Sequence, residues 1–149
     1  MRVALDTSVL VAALWMEHRE HRVARRWVLP GEGPDLSRVI CAHALAETWS
    51  VLTRLPIRPR VAPAAAEAMM VQLASSLEVL SVTAGLQHVA IQRCARRGLS
   101  GGAVHDALHL AAAEAGRADG IVTFNARHFE RLRDPHSPPV IVPGARRAE

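Results

Sequence analysis

The chain has no lysine: all of its 18 basic side chains are arginine, against 14 carboxylates, for a formal charge of +4 over 149 residues. Guanidinium groups grip phosphate bidentately and stack on bases, which suits a nucleic-acid partner. An Arg- and Ala-rich composition that only mirrors its genome accounts for the count equally well. Cysteine is nearly absent. Cys41 and Cys94 make no C-x-x-C and no metal-ligand spacing, which leaves two buried thiols as the simpler reading over a disulfide. No stretch of 18 residues is free of charge, so no membrane-spanning helix is expected. Asp6 interrupts the first apolar run, and no A-x-A-like cleavage site ends it. A cytoplasmic protein without membrane association is the resulting expectation. Internal repeats and long linkers are lacking too, so residues 1–142 read as a single domain and 143–149 as a flexible tail. A chain of this length buries roughly 70% of its unfolded surface.

What is present alternates between short apolar runs and amphipathic stretches. Arg2 to Leu5 reads as a strand that ends in Asp6 and leads through Thr7 and Ser8 into an apolar helix. Thr7 or Ser8 can cap that helix, placing Asp6 just outside its N-terminus, where the dipole favours a carboxylate. Glu17–Leu29 follows as a helix with Val23, Ala24, Trp27 and Val28 inward. Arg19, Arg22 and Arg26 then share one face, either as a solvated surface or as contacts to an RNA backbone. The pair His18 and His21 has ligand spacing, but nothing nearby completes a set.

Leu36–Ala42 reads as a strand and His43–Leu55 as a helix. Leu45, Trp49 and Leu52 form its core stripe, while His43, Glu47, Ser50 and Arg54 fall roughly opposite. Those four are either solvent-facing, or Glu47 approaches the same sheet end as Asp6. Ala64–Leu77 is a further helix, and its Met69–Met70 pair is ordinary packing. Glu78–Val82 is a strand. Thr83 caps a helix to Arg97 that Gly98 stops, with Arg93, Arg96 and Arg97 complementing the helix dipole.

The stretch Ser100–Gly116 is a helix of small and apolar residues nearly all round and should be buried. Asp106 near its start therefore needs a partner, a hydrogen-bond network or a metal ion. His105 and His109, four apart, lack the H-E-x-x-H pattern of a zinc helix; either could orient Asp106 or fill space. Gly120–Phe124 is a strand, Asn125–Leu132 a short helix with Asn125 as a good N-cap, and Val140–Val142 an edge strand. Asp119 precedes its strand, belongs at the opposite sheet end, and is excluded.

Alternating strands and helices argue for an α/β fold: a mostly parallel sheet of four to five strands flanked by helices in three layers. Asp6 and Asn125 end strands while Glu47 and Asp106 lie near helix starts, so all four could meet at the carboxyl edge of the sheet. Three carboxylates packed together repel unless a hard cation such as Mg²⁺ or Mn²⁺ joins them. Such an ion can serve phosphodiester hydrolysis.

Four segments taken together resemble a known family. They are Leu5-Asp6-Thr7-Ser8-Val9-Leu10, the run Ala46-Glu47 to Pro56, His105-Asp106 to Ala113, and Ile121-Val122-Thr123-Phe124-Asn125 to Phe129. In that order they are similar to PIN-domain proteins of the VapC toxin type. The resemblance implies a Mg²⁺- or Mn²⁺-dependent ribonuclease, an RNA substrate, a cognate antitoxin protein and a homodimer. By position it assigns Asp6, Glu47 and Asp106 to the metal and catalysis, directly or through water. Asn125 stands where the family often carries a fourth acid, Thr7, Ser8 and Thr123 support the site, and Arg54 joins the arginine face as a backbone contact. The alternative is a PIN-like domain that binds RNA or a protein with weak or no nuclease activity, which the neutral Asn125 favours.

Overall fold

The computed structural model describes residues 1–145. Five strands, β1 (Arg2–Leu5), β2 (Ser37–Cys41), β3 (Glu78–Leu80), β4 (Gly120–Val122) and β5 (Val140–Ile141), form one sheet in the order β3-β2-β1-β4-β5. Every adjacent pair is parallel. Seven helices connect them: α1 (Thr7–Leu14), α2 (His21–Val28), α3 (His43–Arg54), α4 (Pro63–Ser76), α5 (Ala84–Arg96), α6 (Ala103–Ala115) and α7 (Ala126–Glu130).

The strands are apolar on both sides because both faces are covered. Val3, Leu5, Ile40 and Val122 pack into one core with α1 to α4. The intervening Ala4, Val39, Cys41 and Ile121 pack into the other with α5, α6 and α7. The period of two along each strand thus sorts its side chains between the two layers. Cys41 and Cys94 are buried free thiols, one on a strand and one on α5.

From β1 the chain moves outward through β2 to β3, then returns to lay β4 on the other side of β1. That reversal makes β1/β4 the switch point, outside whose carboxyl ends open α/β sheets bind ligands. Register fixes what stands there. Leu5 pairs with Val122, so Asp6 and Thr123 leave neighbouring strands side by side. Asp119 is at the other end, where its carboxylate accepts the Arg2 backbone N–H at 2.7 Å.

Three expectations change at the level of elements. Asp6 is itself the N-cap of α1, accepting the Ser8 N–H at 3.3 Å, so neither Thr7 nor Ser8 caps it. The second helix starts at His21, which leaves Arg19 in the preceding turns and breaks the stripe; of its three arginines only Arg22 and Arg26 lie on α2. Finally, α3 is rolled about its axis. Its buried side is Ala44, Thr48 and Leu52, while Trp49 is 39% exposed. Methionine pairing in α4 does what was expected in part: Met70 is buried and Met69 packs against the same core half-covered.

Helix α5 ends as the sequence indicates. Thr83 Oγ1 caps it by accepting the Leu86 N–H at 3.1 Å, and Gly98 follows with φ +63°. A side chain there would cost roughly 1–2 kcal/mol. Its arginines, however, do more than oppose a dipole. Arg93 is 5% exposed and pairs with Glu114 of α6 at 2.7 Å and Asp134 at 3.4 Å. Arg97 donates to the Arg131 and Arg133 carbonyls. These bonds tie α5 to α6 and to the segment after α7. Of the expected tail, Val142 O accepts the Ala145 N–H at 3.2 Å, and residues 146–149 lie outside the described ones.

Candidate active site

Asp6 lies at the switch point and is 2% exposed. A carboxylate this deep needs partners, and three donors supply them: the Ser8 N–H, the Ser8 hydroxyl at 2.7 Å and the Thr123 hydroxyl at 2.8 Å. All three fall on Oδ2; Oδ1 receives no hydrogen bond among the described residues. The network extends outward. Ser8 Oγ accepts the Phe124 N–H and Thr123 Oγ1 accepts the Asn125 N–H, so the β4–α7 turn is held against the start of α1. Ser8 and Thr123 thus orient the Asp6 carboxylate.

Asp106 enters from the first turn of α6. Burial raises its pKa above the ordinary value, and the negative charge of Asp6 raises it further. His128 of α7 pulls the other way, with Nδ1 at 3.0 Å from Oδ2. A carboxyl whose charge is disfavoured by burial and by a neighbouring carboxylate is a place where a cation is favoured. The orienting histidine for Asp106 is therefore His128, and neither His105 nor His109 is hydrogen-bonded to it.

His109 serves Glu47 instead. The roll of α3 puts Glu47 on its flank, toward α6, where Oε2 meets His109 Nε2 in a very short contact and accepts the Thr7 hydroxyl at 3.1 Å. Burial alone would raise the Glu47 pKa, but the His109 bond, the charges of His109 and His43, and Thr7 together lower it. Burial opposes protonation of His109, and the bond to Glu47 and the charges of Asp6, Glu47 and Asp106 outweigh it, so its pKa is raised. His109 is 3% exposed, and its protonation responds to all three acids. The solvent-facing reading of the His43–Glu47 stripe is thereby replaced. The four-residue spacing of His105 and His109 around Asp106 was the only sequence signal for His109, and it pointed to the other acid; nothing in the sequence singled out His128.

Asn125 stands at the N-cap position of α7, yet its side chain makes no capping bond. It lines a cleft of about 610 Å³ together with Ser8, His18, Arg19 and Glu20. Arg19 thus shares that cleft with Ser8 and Asn125, its side chain 88% exposed and 3.6 Å from Glu20. Arg22 and Arg26 are exposed on α2. Arg54 is at the far end of α3, with Nε bonded to the Ser50 carbonyl at 3.2 Å, about two helical turns from Glu47. The structure therefore brings Asp6, Asp106, Glu47 and Asn125 to one sheet edge and leaves Arg54 apart from them.

The PIN domain profile matches residues 3–135. Ribonuclease VapC40 of Mycobacterium tuberculosis is 36% identical over 143 residues, spanning 88% of this chain and 94% of that protein. Ribonuclease VapC27 of the same organism is 38% identical over 127 residues, 84% of this chain and 85% of that one. Among solved structures, Mycobacterium tuberculosis VapC20, described as a sarcin-ricin loop cleaving toxin, superposes with a TM-score of 0.70 at 23% identity, covering 91% of this chain and 99% of that chain. VapBC2 from Rickettsia felis, bound to a DNA fragment from its promoter, gives 0.65 at 19% identity, with 95% and 98% covered. Those structures share the fold, and the mycobacterial relatives share the sequence. The chain belongs to the PIN-domain family, on its VapC branch.

Proposed function

We propose that this protein is an endoribonuclease that uses Mg²⁺ or Mn²⁺ and acts as the toxin of a VapBC-like pair, with an antitoxin protein as its partner. The observation that carries the reading is the Asp6–Asp106 crevice at the β1/β4 switch point, where the charge of Asp6 disfavours that of Asp106, in a chain similar to proteins named ribonucleases. The donor set fits a hard cation: carboxylate oxygens, with Asp6 Oδ1 left clear of hydrogen bonds. Asp6 and Asp106 would hold the ion directly, and Glu47 directly or through water. When bound, the ion supplies activation of a water molecule and neutralisation of phosphate charge.

The chain's own side chains do the rest. Ser8 and Thr123 hold Asp6 fixed; His109 and Thr7 keep Glu47 ionised and aimed; His128 steadies Asp106. Asn125 presents an amide to the cleft where an acid would add a further negative ligand, which suits a single ion. Arg19, which lines the cleft with Asn125, and the exposed Arg22 and Arg26 of α2 are candidate contacts for backbone phosphates. Arg54 is a more distant candidate. A homodimer in the cytoplasm completes the proposal; light scattering checks it against the 16.1 kDa of one chain.

The test is cleavage of a mixed RNA pool with Mn²⁺ and with chelator. Asp6→Asn and Asp106→Asn should each lose about 100-fold or more in rate, since the ion supplies several kcal/mol. Folded variants that cleave as well as the parent would refute the site. A parent that binds RNA but does not cut it, with or without Mn²⁺, would establish the binding-module reading that neutral Asn125 favours.

A further inference from the structure

Beside the acidic crevice is a second group of donors with different chemistry. His43 and Glu47 sit four apart on α3, and His105 is in the first turn of α6. His43 Nε2 lies 2.9 Å from His105 Nδ1 and 3.7 Å from Glu47 Oε2, and one donor atom from each of the three residues falls within 4.8 Å of the others. The two imidazole planes are within 5° of parallel. A hydrogen bond between imidazoles means that one nitrogen already points a lone pair at the other, across a shared proton. A cation that takes the place of that proton gains two nitrogen ligands at once. The group opens onto a cleft of about 320 Å³ lined by His43, Gln87, Ile91, Val104, His105 and Leu108, which gives an entry path and room for a water ligand.

Donor type decides which ion this is. Imidazole nitrogens with one carboxylate favour Zn²⁺ and its neighbours over Mg²⁺. Zinc–nitrogen bonds of about 2.0–2.1 Å in a tetrahedron set ligands roughly 3.3 Å apart. The 2.9 Å pair has to open and the 3.7 Å pair to close by a few tenths of an ångström each. His105 is exposed and can turn to allow it. Three protein ligands and one water match the coordination of open zinc sites.

We propose that His43, Glu47 and His105 form a Zn²⁺-class transition-metal site, distinct from the Asp6–Asp106 pair and sharing only Glu47 with it. The site follows from donor type and spacing and holds whether or not the chain cleaves RNA. One consequence rests on the nuclease reading: Zn²⁺ bound here draws Glu47 away from the acidic crevice, so Zn²⁺ would oppose activity supported by Mn²⁺.

The experiment is Zn²⁺ titration of the tag-free full chain against a chromophoric chelator, in excess Mg²⁺, with circular dichroism to verify folding. The parent should take up one equivalent. His43→Ala and His105→Ala should each weaken it by at least about 10-fold, the lower end of what loss of even an outer-shell partner does. Asp106→Asn should leave it unchanged. X-ray absorption at the zinc edge should show two imidazoles. Absence of stoichiometric uptake, an affinity indifferent to His105→Ala, or a loss on Asp106→Asn as large as on His43→Ala would each overturn the site. Because binding is read without RNA, a nuclease-dead parent that still binds Zn²⁺ refutes the activity and leaves this site standing.

Discussion

At the scale of single residues, burial sets the chemistry. Asp6 is held by three donors on one oxygen, whereas Asp106 has its pKa raised, first by burial and then by Asp6. The folded state thus holds the Asp106 proton more tightly than the unfolded chain does. Stability from this group is fully present below its ordinary pKa of 3.8 and is lost as pH rises through the raised value. Two outcomes follow in thermal melts. Without divalent ions at pH 7, Asp106→Asn should melt above the parent. Adding Mn²⁺ at about 100 times its Kd should raise the parent's Tm by about 5–10 °C and the variant's far less. A variant that melts below the parent in chelator would contradict the charge conflict. His109 carries the complementary expectation. Its raised pKa adds stability below its ordinary 6.5 that fades as pH rises through the raised value. His109→Gln keeps a donor but removes the charge. Cleavage should fall by about 10–100-fold with its alkaline limb shifted, since His109 positions Glu47 without touching substrate. Unchanged rate and unchanged pH profile would make it only a core residue.

At the scale of elements, α3 and α5 show where reading by periodicity stops. A helical wheel ranks Leu45, Trp49 and Leu52 as the core stripe by hydrophobicity alone. In the fold the close approach of α3 to its neighbours favours the small Ala44 and Thr48, and Trp49 turns out to the rim, where Nε1 donates to the Pro63 carbonyl at 3.2 Å. That rotation is what turns Glu47 inward. In α5, a terminal arginine run has a sufficient local explanation in the dipole, so nothing in the sequence says that Arg93 is buried against Glu114 and Asp134. Breaking a buried pair strands its partners. Arg93→Met should therefore cost about 3 kcal/mol, measured by urea unfolding, and loosen α6. A cost under about 0.5 kcal/mol would show that the pair is screened like a surface one.

For the whole molecule, the arginine count divides between structure and surface. Arg2 grips Glu78 in a two-bond fork, Arg38 donates to three carbonyls, and Arg93 and Arg97 tie the α5 layer down. The net charge of +4 therefore overstates the cation available for binding, and the arginines near the cleft matter more than the total. RNA affinity of the catalytically disabled protein should fall with salt, each phosphate contact adding about −0.7 to the logarithmic slope. Arg19→Ala should flatten that slope by about one contact, and Arg54→Ala should change it less. Equal effects from the two would place the RNA path along α3 instead of over the cleft.

The sequence by itself determined the α/β alternation and nearly every element within a few residues, and it singled out Asp6 and Asp106 as acids in apolar surroundings. These are local matters: a period of two or of 3.6, a carboxylate after an apolar strand, a charge in a helix with no polar face. It also separated Asp119 from the site, because strand direction alone assigns a residue to one sheet end. Only the tertiary structure decided the order β3-β2-β1-β4-β5, which places β1 beside β4 and makes Asp6 and Thr123 neighbours across 117 residues of chain. The roll of α3, the assignment of His109 to Glu47 and of His128 to Asp106, and the meeting of His43 with His105 belong to it as well. Each depends on how two helices pack, and packing is settled by the shapes of many side chains together, which no spacing within one segment records.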